Sequence, residues 1–127
     1  MNRIAGLMVG DLLAIALLTL IGFASHGEMD PAFIPRMGTT FFPVLVGWFL
    51  LAPWFGLLAP GSLTDVRFLW RVPLAMIFAA PLAAILRATL LGTSVSPLFT
   101  AVLGGSFALG MMLWRGALGA GLRRWPG

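Results

Sequence analysis

Cysteine and lysine are both missing from this sequence of 127 residues. Without cysteine the chain has no disulfide framework and no thiolate ligand for a metal. Without lysine, all eight basic residues are arginines, and with four acidic residues they give a net charge of +4. A positive balance can indicate a nucleic-acid partner, but these arginines flank apolar stretches and form no basic stripe. We therefore expect no nucleic-acid binding.

Charged residues of either sign are scarce, at 9% of the chain, whereas hydrophobic residues make up 60%. An ordinary soluble domain has about 25% charged residues and about half apolar residues. A soluble domain of this size buries only about two-thirds of its chain surface, so much of this apolar surface would face water. The composition therefore predicts a multi-pass protein of the cell (inner) membrane, in contact with the lipid bilayer.

Four apolar stretches cover most of the chain, and each has close to the roughly 20 residues that cross a bilayer as a helix. They are predicted at about 4–24, 39–59, 72–91 and 97–118. Before the second, Pro35 is expected to keep the chain irregular until Thr39 and Thr40, which would cap the helix. The pattern predicts a single transmembrane domain over 1–127, an all-α membrane four-helix bundle with up-down-up-down topology.

The arginines predict the orientation, because cytoplasmic loops carry an excess of positive residues. A cytoplasmic N-terminus leaves only Arg36 and Arg87 on the outer side. The other six arginines then lie on the cytoplasmic side: Arg3, Arg67, Arg71, Arg115, Arg123 and Arg124. Four tryptophans fall near the same interface, where amphipathic rings prefer to lie: Trp54, Trp70, Trp114 and Trp125. We therefore expect both termini in the cytoplasm.

The first apolar stretch also has the outline of a signal peptide, since Arg3 precedes it and it ends near Ala24-Ser25. Asp11 inside the stretch argues against this interpretation, because a signal peptide has an uninterrupted apolar region. We expect the segment to remain as the first transmembrane helix.

Asp11 lies about two turns into the first helix, where a carboxylate needs a charged partner or water. Arg71, at the start of the third helix, lies at a similar depth and is the expected partner. One interpretation is a proton or substrate site. The other, which we favour, is an ion pair that fixes how the first and third helices pack.

Arg87 continues a row of small residues at four-residue spacing, Ala75, Ala79 and Ala83. Such rows let helices approach closely, so the guanidinium is expected to face neighbouring helices near the outer side. A cation there needs a partner. The first outer loop supplies three candidates, which are His26, Glu28 and Asp30.

The predicted outer cluster consists of His26, Glu28, Asp30 and Arg87. It would bind an anionic headgroup, a quinone oxygen or a cofactor through His26, or it would simply hold the outer loop against the helices. A lone histidine is poor evidence for a structural metal, so no metal site is predicted. His26 is at most a candidate for one axial ligand of a tetrapyrrole.

The sequence contains no nucleophile with its base, phosphate-binding loop, carboxylate dyad or two-histidine motif, so we do not expect an enzyme. Pairs of small residues four positions apart instead suit close helix packing. They include Gly6 with Gly10, Ala101 with Gly105, and Ser106 with Gly110. These pairs do not distinguish contacts within the chain from contacts with another protein. Pro53, Pro73 and Pro81 are interpreted as kinks within the second and third helices.

The order and spacing of several short motifs resemble a known family. They are Gly10-Asp11, Gly22 with Ser25-His26-Gly27-Glu28, Pro43 with Gly47-Trp48, Arg71, Leu86-Arg87-Ala88 and Leu113-Trp114-Arg115. Together they resemble an uncharacterised prokaryotic family of four-helix membrane proteins, domain of unknown function 3054, from about Gly10 to Arg115. The chain departs from the family's usual pattern in placing Phe42 before Pro43, and Arg71-Val72-Pro73 where a tryptophan is more usual. The resemblance implies a fold and a membrane location but no activity.

The function expected from these features is that of a non-catalytic accessory or assembly subunit of a larger membrane complex, for example one that handles electrons or pigments. The alternative is a small transporter that works as an oligomer, with Asp11 and Arg87 as buried charges on its path. A lipid-modifying enzyme that uses Asp11 or His26 is the third and least favoured hypothesis. The expected partners are other membrane protein subunits or further copies of the chain.

Overall fold

Four α-helices make up most of the protein. A computed structural model describes residues 3–25, 27, 30–59, 61 and 65–124. The helices are α1 (Arg3–Ser25), α2 (Ile34–Leu51), α3 (Arg71–Leu91) and α4 (Pro97–Arg124), with three short 3-10 turns between them. All four helical segments are long and apolar enough to cross a membrane. The predicted all-α four-helix bundle is therefore confirmed.

The helices alternate in direction, so the bundle has two distinct ends. The Asp11 end contains the starts of α1 and α3 and the ends of α2 and α4, and the Arg87 end is the opposite one. The α2–α3 and α3–α4 interfaces are the most extensive, while α1 packs less closely, against α2 and α4. Helix α3 is thus the central element, and α1 lies on the side of the bundle away from it.

Small residues bring α2 and α4 close to α3. Eight residues of α3 are buried, and six of them are alanines: Ala75, Ala79, Ala80, Ala83, Ala84 and Ala88. A Cβ atom on Gly47 of α2 would lie 2.9 Å from the Ala79 carbonyl oxygen, and one on Gly104 of α4 would lie 2.9 Å from the Ala80 Cβ. Close backbone approach of this kind is typical of helices that associate in lipid, where packing replaces the hydrophobic effect.

Helix α2 differs from its predicted range of 39–59 at both ends. It begins five residues earlier, at Ile34, after a 3-10 turn that the Asp30 carboxylate caps by accepting a 3.1 Å hydrogen bond from the Ala32 amide. Pro35 occupies the first turn, where a residue without an N–H loses no helical hydrogen bond. Thr39 and Thr40 do not cap the helix, because their hydroxyls donate to the Arg36 carbonyl oxygen inside it.

The α-helical part of α2 ends at Leu51 because Pro53 cannot continue it. The chain forms a 3-10 turn over Ala52–Phe55 and then turns at Gly56, which has a left-handed φ of 71°. Pro53 therefore terminates α2 and does not kink it, while Pro43 and Pro81 lie inside α2 and α3. Helix α4 continues to Arg124, beyond its predicted end at 118.

We expect Gly47→Ala to lower the free energy of unfolding by about 1–3 kcal/mol, the usual effect of overpacking a close interface. The added Cβ would meet a backbone atom, the Ala79 carbonyl oxygen, which moves only if α3 shifts. The measurement is denaturant unfolding of the purified protein in detergent.

Gly121→Ala is the matched control, because a Cβ at this α4 position meets nothing within 4 Å. Its stability should be unchanged or higher by up to about 1 kcal/mol, since alanine favours a helix over glycine. Equal stabilities of the two variants would contradict the close approach of α2 and α3.

Candidate functional site

Asp11 is the centre of a buried polar cluster at the Asp11 end of the bundle. Its side chain is fully buried, and four hydrogen bonds reach its two carboxylate oxygens. Arg115 donates two of them, from Nε to Oδ1 at 3.0 Å and from Nη2 to Oδ2 at 2.6 Å. The indoles of Trp48 and Trp114 donate the other two, at 3.0 and 3.2 Å. Each oxygen therefore accepts two hydrogen bonds, so both polar atoms of the buried carboxylate have partners.

Arg115 is buried as deeply as the carboxylate, with 4% of its side chain exposed. Its third donor, Nη1, binds the Leu57 carbonyl oxygen at 2.8 Å. The guanidinium carbon also lies 5.7 Å from the centre of the Trp48 ring, within the range of a cation–π contact. One arginine thus connects α4 to α1, to α2 and to the chain segment after α2.

Two glycines make this geometry possible. A Cβ on Gly10 would lie 3.0 Å from the Trp114 ring, so a larger residue would push this indole, which donates to Asp11, away from α1. Gly56, with its left-handed φ, turns the chain just before Leu57, whose carbonyl oxygen accepts from Arg115. Glycine adopts this conformation without the strain that a side chain would add.

The expected pairing of Asp11 with Arg71 is wrong. Arg71 instead donates to the Phe55 carbonyl oxygen at 3.0 Å, and its guanidinium lies 4.4 Å from the centre of the Phe68 ring. The physical reason is the helix arrangement, because α1 packs mainly against α2 and α4, while Arg71 belongs to α3. Arg71 therefore holds the turn after α2 and not the carboxylate of α1.

The predicted outer cluster is described only in part. His26 and Glu28 lie outside the described residues. Asp30 is exposed and caps the turn before α2 through Ala32. Arg87 is half-buried at the Arg87 end, with its guanidinium 4.3 Å from the centre of the Phe99 ring of α4. That these four residues form one cluster therefore stays a prediction.

Arg87 also lines a cavity between α1 and α4 with a volume of about 610 Å³. Arg36 of α2 lines the same cavity, and Asp11 does not. Among the residues that the structure describes, no group of three or more His, Cys, Asp or Glu side chains is placed to hold a metal ion. Among the described residues, the buried Asp11–Arg115 pair therefore lies apart from this cavity, which Arg36 and Arg87 line.

Residues 8–118 match the model of one protein family, which is described as a protein of unknown function (DUF3054). The match includes α2, α3, most of α1 and α4, and every member of the buried cluster. The chain belongs to this family. Neither curated proteins nor solved structures give a match to this member of the DUF3054 family.

Three members of the Asp11 cluster in this DUF3054 protein were not predicted as site residues, and all three are far from Asp11 along the chain. They are Trp48, Trp114 and Arg115. The predicted end of α4 at 118 placed Arg115 close to the helix end, whereas α4 continues to Arg124, so that Arg115 lies nine residues before its end, much as Asp11 lies eight residues after the start of α1. At 1.5 Å per residue both are about 12–14 Å from the same end of the bundle.

The Asp11 cluster joins three helices in this DUF3054 protein. Asp11 belongs to α1, Trp48 to α2, and Trp114 and Arg115 to α4, and all four side chains meet at one buried carboxylate. Whether the cluster also has a functional role stays a prediction.

Asp11→Asn is expected to lower the free energy of unfolding by about 3–5 kcal/mol, because it leaves the buried Arg115 without its counter-charge. The double variant Asp11→Leu, Arg115→Met removes both charges. Its loss of stability should be smaller by about 1–3 kcal/mol than the sum of the losses in Asp11→Leu alone and Arg115→Met alone. A double-mutant cycle of unfolding in detergent measures this coupling.

Asp65→Asn provides the control, since Asp65 forms the other ion pair among the described residues, at 2.9 Å with Arg67 in the connection between α2 and α3. Hydrogen bonds from Arg67 lower the pKa of the Asp65 carboxyl, but the pair is exposed to solvent. We expect little change in stability from this variant. Additive effects at Asp11 and Arg115 would contradict the ion pair.

Proposed function

We propose that this protein is a non-catalytic accessory or assembly subunit of a larger membrane complex. The observation that carries the proposal is a small-residue face on the outside of α4. Ala101 and Gly105 are both exposed, and a Cβ on Gly105 would meet nothing within 4 Å. Two small residues at this spacing let a second helix approach the α4 backbone closely.

Three other glycines of the bundle support this interpretation because they are already used within the chain. Gly47 and Gly104 pack against α3, and Gly10 packs against Trp114. Ala101 and Gly105 belong to the same kind of motif but have no neighbouring helix in the described part of the chain. A partner helix would pack against Ala101 and Gly105 as α3 packs against Gly104.

The Asp11 cluster supports a non-catalytic role. Its carboxylate is fully hydrogen-bonded by Arg115, Trp48 and Trp114, and it lies at the junction of three helices. Such a cluster keeps α1, α2 and α4 in one arrangement and so presents a constant outer surface. A rigid surface favours association, because little conformational entropy is lost on binding.

A small oligomeric transporter with Asp11 and Arg87 on one path has less support. The described residues that line the cavity include Arg87 but not Asp11. The indole of Trp114 and the guanidinium of Arg115 lie against the carboxylate from the side of α4. We therefore do not propose a common path for the two charges.

Ala101→Leu tests the proposal. The protein is extracted from its native membrane in a mild detergent and separated on a native gel, and the proteins that migrate with it are identified. Wild-type protein should migrate in a larger complex with defined partners. The added side chain on α4 should weaken this association by about 1–3 kcal/mol, or roughly 5- to 150-fold.

Ala117→Leu is a matched control, because it makes the same change at another exposed position of α4. The two positions are 16 residues apart and therefore about 160° apart around the helix. This variant should behave as wild type. The proposal is wrong if wild-type protein migrates alone or only with its own copies, or if both variants lose the complex equally.

A further inference from the structure

The cavity between α1 and α4 has the shape of a groove along the bundle. Its walls come from the second half of α1 and from α4 between Phe99 and Leu113, and its volume is about 610 Å³. The 14 residue steps between Phe99 and Leu113 correspond to about 21 Å along the helix axis. The contacts between α1 and α4 are the sparsest of the adjacent helix pairs, which leaves this space between them.

The groove is charged at one end only. Arg36, in the first turns of α2, and Arg87, near the end of α3, both line it at the Arg87 end. Arg87 is held in place by the Phe99 ring at 4.3 Å. The Arg36 guanidinium makes no hydrogen bond or ion pair with any residue that the structure describes. Neither aspartate nor glutamate is among the described residues of the lining.

The rest of the lining is mostly apolar. It includes Leu18 and Ile21 on α1, and Val102, Leu109 and Leu113 on α4. Most of the hydroxyls at its edge are bound within their own helices, as Thr19 is to the Ile15 carbonyl oxygen. A ligand that suits both parts has an anionic group at one end and a long apolar part that extends along the groove.

The charges of the lining favour such a ligand over an apolar partner helix. Arg36 and Arg87 both line one end of the groove, and an anionic headgroup would bring the opposite charge to them. The volume of about 610 Å³ lies in the ordinary range for small-molecule pockets.

We propose that this groove binds one anionic phospholipid, with its phosphate between Arg36 and Arg87 and one acyl chain along α1 and α4. Ala101 and Gly105 do not line the groove, although Leu109, four positions after Gly105, does. The proposed lipid site does not require a partner helix at Ala101 and Gly105.

The experiment is native mass spectrometry of the full-length protein in detergent with equal amounts of phosphatidylglycerol and phosphatidylcholine. Wild-type protein should retain phosphatidylglycerol preferentially, and millimolar inorganic phosphate should not displace it. Arg36→Gln should weaken retention about fivefold, the effect of one basic residue near an anionic lipid. Arg67→Gln removes the same charge at the Asp11 end and should leave retention unchanged.

Filling the groove tests the position of the acyl chain. Gly22 lines the groove, and a Cβ there meets nothing within 4 Å, so Gly22→Leu places a side chain in the proposed path of the acyl chain. Gly121→Leu is the matched control, since Gly121 has the same open surroundings outside the groove. Retention should fall at least fivefold in the first variant and stay constant in the second. If Gly22→Leu unfolds, Val102→Trp fills the same space from the α4 wall.

Four results would overturn the proposal. They are equal retention of the two lipids, equal losses in Arg36→Gln and Arg67→Gln, unchanged retention in a folded groove-filling variant, and displacement by inorganic phosphate. The second result would indicate diffuse attraction to a positive surface, and the last would indicate a site for a free anion.

Discussion

The charge of Asp11 has to be balanced inside an apolar bundle, and the packing of three helices depends on how this is done. An ionised carboxylate away from water is very costly unless it is paired and hydrogen-bonded. Arg115 supplies the opposite charge, and two indoles supply the remaining donors. Because these donors come from α2 and α4, the carboxylate specifies which helices lie beside α1 and at what depth.

The two ends of the bundle use arginine in different ways. At the Asp11 end, Arg115 and Arg71 bind carbonyl oxygens of the turn after α2, where the helix has left those acceptors free. At the Arg87 end, the guanidiniums of Arg36 and Arg87 line a groove. The first arrangement satisfies acceptors that belong to the chain, and the second places two positively charged residues beside a space between helices.

The fold could be predicted from sequence because lipid requires every spanning segment to satisfy its own backbone, and runs of apolar residues report such segments directly. The predicted limits of α2 were wrong because a proline can precede a helix, begin it or end it, and the sequence does not show which. Pro35 begins α2, and Pro53 ends it. The sequence also indicated that Asp11 needs a partner, but it did not indicate which residue is that partner. Arg71 is the first residue of α3 and Arg115 lies nine residues before the end of α4, and the adjacency of α1 to α4, a tertiary property, brings Arg115 to Asp11.

The distance along the chain between Asp11 and Arg115 has a consequence for biosynthesis. The two residues are 104 positions apart, in the first and the last helix. At about 5–20 residues per second, a ribosome needs roughly 5–20 s to reach Arg115 after Asp11. During this interval α1 is in the membrane or its insertion machinery with an uncompensated carboxylate. Synthesis of α4 is therefore the step that supplies the counter-charge of Asp11, and a chain interrupted before Arg115 lacks it.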